Sequence, residues 1–203
     1  MLTLVVQAGG ESRRMGSDKG LALFLGQPLV QRVLGRVAYL ADEIIVTTND
    51  PPAYRFLDLP LVADLLPGRG ALGGLYTALS AAAHPLVAVV ACDMPFVSPG
   101  LLEVGRDRLL SSACDAAIPL LEGGTEPFHA VYRRETCLPA VQRAIQADKW
   151  RVDSWFGEMN LCYLVEEEIR PHDPDGLAFW NVNTPHELKQ AERIARGKDD
   201  PGV

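Results

Sequence analysis

The sequence lacks a long apolar run, an excess of basic residues and closely spaced cysteines of the CxxC type. None of its apolar segments approaches the roughly 20 residues that a membrane-spanning helix needs, and the N-terminal stretch MLTLVVQAGG is too short and too uncharged for a secretory signal. Lys and Arg number 19 against 26 Asp and Glu, a net charge of −7, whereas nucleic-acid-binding proteins usually present a basic face. We therefore expect a cytoplasmic protein with no membrane or nucleic-acid partner.

Cysteine is also scarce. The four cysteines are widely spread and form no CxxC pair; they are Cys92, Cys114, Cys137 and Cys162. This spacing is unlike that of a zinc site or a disulfide framework. We interpret all four as small apolar side chains in a reducing compartment.

Short apolar runs alternate with helical patterns along the chain. Strands are predicted at Leu2–Val6, Glu43–Thr48, Leu61–Ala63, Leu86–Cys92, Ala116–Leu120, Phe128–Tyr132 and Leu161–Val165. Helices are predicted at Pro28–Leu40, Ala71–Ala83, Pro99–Leu110, Thr136–Ala147 and from Pro185 to about Arg196, with Gly197 ending the last one. The alternation predicts an α/β fold whose mostly parallel sheet is covered on both faces. We expect one domain over residues 1–197 and a flexible tail over residues 198–203.

A glycine-rich loop with three cations follows the first predicted strand. It reads QAGGESRRMGSDKG, over Gln7–Gly20. Gly9 and Gly10 allow the backbone to pass close to a ligand and to turn its amides toward an anion. The side chains that can donate to phosphate oxygens are Arg13, Arg14 and Lys19. The loop lacks the GK[ST] ending of a Walker A loop, but in an acidic protein this cluster favours a phosphate site over an ordinary glycine turn.

Asp93 follows the most strand-like run, within CDMPF at residues 92–96. Ligands bind beyond the carboxyl ends of parallel strands, and Mg²⁺ takes one or two carboxylates together with substrate phosphates. A turn aspartate is the alternative, since Asp-x-Pro is common turn chemistry. Asp64 is a weaker candidate after a shorter strand, and Asn49 is either a turn residue or a donor to a ribose or base edge.

The segment Gly68–Gly73 is a literal G-x-G-x-x-G that opens a predicted helix, with Asp93 about 20 residues beyond it. This pattern would suggest a dinucleotide-binding dehydrogenase. However, the intervening Leu65–Pro67 separates the glycines from their strand, and a dehydrogenase gives the cations of the first loop no role. We favour a backbone that approaches a nucleotide base or ribose, with the NAD(P)-dependent oxidoreductase as a minor alternative.

Five further polar residues have less specific patterns. We interpret His129 as a structural histidine, and Arg143 and Arg151 as solvated helix charges. Asn181 and Asn183 precede a capped helix in NVNTPHE, where Thr184 is the N-cap residue. The two asparagines either fix that turn or face the same sheet edge as Asp93, and we favour the turn.

Taken in order, these motifs resemble a known family. AGGESRRMGSDKG, with Pro28-Leu29 two residues after Gly26, resembles the signature loop of molybdenum-cofactor guanylyltransferases. The resemblance continues at PGRGALGGL, CDMPFV and NVNTPHEL, and so spans nearly the whole chain. It implies a three-layer α/β/α, Rossmann-like nucleotidyltransferase fold. It also implies a transfer of GMP from GTP to the terminal phosphate of molybdopterin, with release of pyrophosphate.

The resemblance carries residue roles with it. Positions that match the family's nucleotide contacts are Gln7, Ala8, Gly9, Lys19, Asn49, Asp64 and Asp93, with Gly10 beside them. Asp93 also matches the family's Mg²⁺ ligand, and Gln7 stands where the family more often has an aliphatic residue. The reaction brings two phosphates together, and positive charge from the protein must offset their repulsion. We therefore assign the catalytic cations as Arg13, Arg14 and Lys19, acting with Asp93.

The nucleotide and the acceptor are less firmly indicated than the reaction. A CTP:molybdopterin cytidylyltransferase is the nearest alternative, although the DK and GALGG segments look like the guanine type. Sugar-phosphate nucleotidyltransferases share the first loop but are usually longer. A binding-only regulator is the non-enzyme hypothesis, and Lys19 and Asp93 argue against it. The resemblance leaves open a transient contact with other molybdenum-cofactor proteins.

Overall fold

A mostly parallel β-sheet forms the middle of the molecule. The computed structural model describes residues 1–9 and 18–199. Its strands are β1 (Leu2–Gln7), β2 (Leu23–Phe24), β3 (Gln27–Pro28), β4 (Glu43–Thr47), β5 (Leu61–Val62), β6 (Leu86–Ala91), β7 (Ala116–Leu121), β8 (Gly124–Thr125), β9 (His129–Arg133) and β10 (Leu161–Leu164). The α-helices are α1 (Leu29–Val37), α2 (Gly70–Ala81), α3 (Pro99–Ser111), α4 (Arg134–Gln146), α5 (Glu166–Ile169) and α6 (Pro185–Asp199). Short 3-10 helices span Lys19–Leu21, Ala38–Leu40, Pro51–Leu57 and Phe156–Glu158.

The strand order places the first strand near the centre of the main sheet. Its order is β10-β7-β9-β6-β1-β4-β5, and β8 pairs with β7 at the side. β1 lies parallel to both β4 and β6, while β9 runs antiparallel to β6 and β7. The prediction of a mostly parallel sheet is confirmed. The antiparallel β9 brings its N-terminal end to the edge where the parallel strands end.

Both faces of the central strands are buried, which explains why β1 and β6 read as continuous apolar runs rather than alternating ones. Leu4 and Val6 of β1 pack into the same apolar cluster as Val33 of α1. Val5, between them, packs on the opposite face with Leu75 of α2. α3 lies on the side of α1, and α4 packs against α2. Three layers result, with the sheet between two layers of helices, as predicted.

The last helix continues further than its sequence predicts. α6 runs from Pro185 to Asp199, so the prediction that Gly197 ends it is wrong. Gly197 has no positive φ and therefore does not form the left-handed turn that glycine makes at many helix ends. The remaining tail, residues 200–203, lies outside the described residues. None of the helices in the part of the chain that the structure describes is long and apolar enough to cross a bilayer.

Two of the four cysteines are joined, contrary to the prediction. Cys114 and Cys162 form a disulfide with their Cα atoms 5.8 Å apart. The pair is 48 residues apart in sequence, and it meets because β10 lies parallel to β7, with Leu161 opposite Ala116. A tertiary pairing of this kind leaves no local signature in the cysteine spacing. Cys92 and Cys137 are free and buried, as small apolar residues would be.

Candidate active site

The carboxyl ends of three neighbouring strands form the floor of a cavity. Gln7 ends β1 and lies opposite Thr47 of β4 on one side and Ala91 of β6 on the other. The residues that follow each strand continue into the same cavity; they are Ala8, Gly9, Thr48, Asn49, Cys92 and Asp93. The cavity has a volume of about 720 Å³, which lies within the range of small-molecule sites.

The segment before α2 and the first turns of α2 form one wall of the cavity. Gly68 and Gly70 both line it and have φ values of 84° and 58°, which side chains other than glycine rarely adopt. A Cβ on Gly74 would lie 3.2 Å from the Gln7 carboxamide, so glycine lets α2 approach β1 here. The G-x-G-x-x-G segment thus shapes a cavity wall, and residues 63–69 separate its helix from β5.

Lys19 connects three parts of the site. Its Nζ lies 3.0 Å from Asp93 Oδ2 and donates to Asn183 Oδ1 at 2.5 Å. Both charged side chains are largely buried, 23% exposed for Lys19 and 14% for Asp93, so the pair is less screened than a surface ion pair. The backbone N–H of Val182 donates to the Asp93 carbonyl at 2.8 Å. This bond holds the 181–183 segment against the end of β6.

Asn183 has both of the roles that its sequence left open. It fixes the turn before α6, since its N–H donates to the Glu187 carboxylate and its Nδ2 donates to the Asn181 carbonyl. Its side-chain oxygen also contacts Lys19. Asn181 lines the cavity beside it. The NVNTP motif therefore adds amide groups to the site as well as capping α6, where Thr184 Oγ1 accepts from the Glu187 N–H.

Asn49 and Asp64 follow β4 and β5, on the opposite side of β1 from β6 and Asp93, and Gln7 ends β1 itself. The Asn49 amide lies close to Gly9, 3.7 Å from the position that a Cβ there would take. Asp64 Oδ1 accepts from the buried Thr77 hydroxyl at 2.8 Å and from the Leu66 N–H at 3.1 Å, which orients its carboxylate. Gln7 Nε2 is buried and has no hydrogen-bond partner in the described part of the chain.

The structure thus brings most of the sequence-predicted residues to one cavity. Those that line it are Gln7, Ala8, Gly9, Lys19, Asn49, Asp64 and Asp93. Gly10, Arg13 and Arg14 lie outside the described residues. Arg143 and Arg151 pair at the surface with Glu158 and Asp153, as solvated charges would. Arg143 lies on α4 as predicted, but the prediction of a helix at Arg151 is wrong, because α4 ends at Gln146.

Several cavity residues were not identified from the sequence. They include Asp18, Thr48, Pro67 and Phe128. Asp18 belongs to the quoted DK motif, and Thr48 directly precedes the candidate Asn49 in the segment TTND at residues 47–50, so both positions were available signals. Phe128 precedes β9, and only the antiparallel direction of β9 reveals that this residue reaches the cavity.

The chemistry of the cavity suits anion binding more than covalent catalysis. α2 points its N-terminal end at the cavity, and the free N–H groups of a helix N-terminus attract phosphates. Cys92 is the thiol among the described lining residues, and burial raises its pKa well above its usual range. A protonated thiol is a poor nucleophile. Lys19, the amides and the carboxylates are therefore the groups in the described part of the site that can bind a charged ligand.

His129 lies beside the cavity but points into the protein. Its side chain is 1% exposed, Nε2 lies 3.1 Å from the Ser98 carbonyl, and its ring packs against Phe179. Because a carbonyl can only accept, Nε2 carries the proton. Burial lowers the pKa of His129 to about 4. The interpretation of His129 as a structural residue agrees with this environment.

We expect acidification to destabilise the protein through His129. Above pH 6.5 the histidine is neutral in both states, but between pH 6.5 and about 4 the unfolded chain takes up a proton that the folded chain does not. This difference in proton uptake lowers the free energy of unfolding by about 2 kcal/mol at pH 5. Urea unfolding near pH 7 and near pH 5 measures it. His129→Gln should flatten the dependence, and an unchanged slope in that variant would assign the pH effect to other groups.

Comparisons with known proteins agree with the geometry. The model of the MobA-like NTP transferase domain matches residues 4–159. A protein from Peptoclostridium acidaminophilum named "Probable molybdenum cofactor guanylyltransferase" is 34% identical over 98% of this chain and 91% of its own. The molybdenum cofactor guanylyltransferase of Desulfosudis oleivorans is 31% identical, and the match covers 94% of each chain.

A solved structure shares the fold over almost the whole chain. The molybdopterin-guanine dinucleotide biosynthesis protein A of Archaeoglobus fulgidus superposes with a TM-score of 0.82 at 29% identity, covering 96% of this chain and 99% of that one. This match confirms the predicted nucleotidyltransferase fold. The family model, the relatives and the shared architecture lead to one assignment: the chain belongs to the MobA-like NTP transferase family and is a nucleotidyltransferase.

Proposed function

We propose that the protein transfers GMP from GTP to the terminal phosphate of molybdopterin, forming molybdopterin guanine dinucleotide and releasing pyrophosphate. The observation that carries this proposal is the Lys19 ammonium, held between Asp93 and Asn183 in the cavity at the carboxyl ends of β1, β4 and β6. The names of the full-length relatives in the same family support the choice of guanine nucleotide and acceptor. A contact with other proteins of this biosynthesis stays a prediction.

The two sides of the cavity suggest how GTP lies in it. The phosphates would lie near Lys19 and Gly9, and the glycine-rich segment before α2 would approach the base or ribose. The base and ribose would lie near Asn49 and Asp64, whose amide and carboxylate can pair with the polar edges of guanosine. Arg13 and Arg14 would add charge at the leaving pyrophosphate, and Gly10 a backbone contact.

The main task of the protein in this reaction is to hold two phosphate anions close to each other. The phosphate of the acceptor attacks the α-phosphate of GTP, the new P–O–P bond forms, and the bond to the β-phosphate oxygen breaks with release of pyrophosphate. Lys19 would stabilise the negative charge that develops on the leaving group. No general base is required, because a phosphate nucleophile is already ionised at neutral pH.

A divalent cation fits the oxygen ligands beside Lys19. Asp93 offers a carboxylate and Asn183 an amide oxygen, and both already converge on one positive charge. No cluster of three or more acidic, histidine or cysteine side chains suited to a metal occurs within residues 1–9 and 18–199. Mg²⁺ does not need one, because in nucleotide sites it takes one or two carboxylates and completes its shell with phosphates and water. Asp93 would hold Mg²⁺, which when bound neutralises charge on the phosphates.

Thermal-shift titration of the protein with GTP, CTP, ATP, UTP and NAD(P)H, each with and without Mg²⁺, tests the nucleotide. A ligand at 100 times its Kd stabilises the folded state by about 2.7 kcal/mol, so the preferred nucleotide stands out. We expect a Mg²⁺-dependent shift that is largest for GTP, followed by turnover with molybdopterin. A larger shift with CTP would replace the proposal with a cytidylyltransferase, and a shift with NAD(P)H alone would reject nucleotidyl transfer.

A further inference from the structure

The turn that carries Lys19 is held by a hydrogen bond from a buried tyrosine. Tyr54 lies on the 3-10 helix Pro51–Leu57, is 0% exposed, and donates its hydroxyl to Asp18 Oδ1 at 2.6 Å. The same Asp18 oxygen accepts the Gly20 N–H at 2.9 Å and so caps the 3-10 helix Lys19–Leu21. Two donors from two segments, far apart in sequence, therefore hold the residue directly before Lys19.

At Gly20 this turn packs closely against Tyr54 and Cys92. A Cβ at this position would clash with the Tyr54 hydroxyl and lie 3.2 Å from Cys92 Sγ. The backbone at Gly20, directly after Lys19, thus contacts Tyr54 and Cys92, and Cys92 directly precedes Asp93. With both neighbours held, the Lys19 side chain extends toward Asp93 and Asn183 on the cavity side.

We propose that Tyr54 and Asp18 are positioning residues that aim the Lys19 ammonium at the triphosphate. Asp18 lines the cavity, but one of its carboxylate oxygens is already occupied by two donors, so it acts here as a hydrogen-bond acceptor. This inference rests on the proposed function, because it requires a nucleoside triphosphate beside Lys19. Burial and the Asp18 carboxylate raise the pKa of Tyr54 well above its usual range, so the phenol keeps its proton and remains a donor at neutral pH.

A double-mutant cycle separates positioning from a merely structural role. Tyr54→Phe keeps the buried ring and removes the hydroxyl, and Lys19→Met removes the ammonium. We expect Tyr54→Phe to weaken GTP binding about three- to tenfold, measured by calorimetry, and GMP binding by less than about twofold. In the Lys19→Met background the same change should have no further effect. Tyr39→Phe, at an exposed tyrosine, is the matched control and should leave both affinities unchanged.

A second pair of variants addresses the acceptor itself and does not depend on Tyr54→Phe folding. Asp18→Asn keeps an oxygen that accepts from Tyr54 and Gly20, whereas Asp18→Ala removes it. We expect Asp18→Ala to reproduce the loss of GTP affinity and Asp18→Asn to restore most of it. Equal losses in both variants would make the Asp18 charge the important feature and overturn the inference.

The remaining outcomes distinguish the inference from the proposed function. Equal weakening of GTP and GMP, or an effect of Tyr54→Phe that persists in Lys19→Met, overturns the positioning role while the guanylyltransferase proposal stands. A wild-type protein that prefers CTP overturns the guanine assignment, and the same cycle measured with CTP and CMP still tests Tyr54. A wild-type protein that binds no nucleoside triphosphate overturns both.

Discussion

Replacing Asp93 with asparagine is expected to lower the rate of GMP transfer about a hundredfold or more. The variant keeps the size and an oxygen of the side chain but removes the negative charge that would hold Mg²⁺. It also removes the negative charge of the ion pair with Lys19, whose Nζ lies 3.0 Å from Asp93 Oδ2. Because the Asp93 carbonyl, rather than its side chain, accepts from Val182, the loop should keep its conformation. Pyrophosphate release at saturating GTP and acceptor, measured across a Mg²⁺ titration, gives the loss.

Two comparisons make this result specific. Asp107→Asn removes an exposed carboxylate whose ion pair is with its neighbour Arg106, and it should leave turnover unchanged. Thermal unfolding of Asp93→Asn in the absence of nucleotide should lie close to that of the wild type, since Asn183 Oδ1 and the new asparagine oxygen can both accept from the Lys19 ammonium. Wild-type turnover by Asp93→Asn, with the same Mg²⁺ dependence, would remove Asp93 from the site.

The fold was largely predictable because its strands are buried on both faces. Continuous apolar runs such as Leu86–Ala91 indicate strands that are covered on both faces. Their alternation with helices predicts a mostly parallel sheet. The ends of helices were less predictable. Nothing near Gly197 reveals that it continues α6 rather than ending it, since either backbone conformation is open to glycine.

The candidate site was predictable where its residues belong to one strand and the loop after it. Gln7 ends β1, and Asn49 and Asp93 lie two residues beyond the ends of β4 and β6, so the parallel sheet alone brings them together. The contacts that cross the fold were not predictable. Tyr54 meets Asp18 across 36 residues, Asn183 meets Lys19 across 164, and Cys114 meets Cys162 through strand pairing. Each depends on tertiary packing that no local pattern specifies.

Replacing Lys19 with methionine is expected to weaken GTP binding about ten- to hundredfold, because a charge-assisted hydrogen bond to a phosphate contributes about 1.5–3 kcal/mol. Binding of guanosine should change little, since the base and ribose would contact the opposite side of the cavity, at Asn49 and Asp64. Methionine is unbranched, as lysine is, and can follow the same path through the partly buried site. Calorimetric titration with GTP, GMP and guanosine separates the contribution of the α-phosphate from that of the β- and γ-phosphates together.

Lys19→Arg tests whether charge alone is sufficient. The ammonium fits between Asp93 Oδ2 at 3.0 Å and Asn183 Oδ1 at 2.5 Å, and a planar guanidinium cannot occupy that space in the same way. We expect Lys19→Arg to recover only part of the GTP affinity and less of the turnover, whereas Lys149→Met, at an exposed lysine, should change neither. Full recovery by arginine would mean that the site needs a positive charge but not this geometry. Unchanged GTP affinity in Lys19→Met would instead assign the phosphate contacts to Arg13 and Arg14.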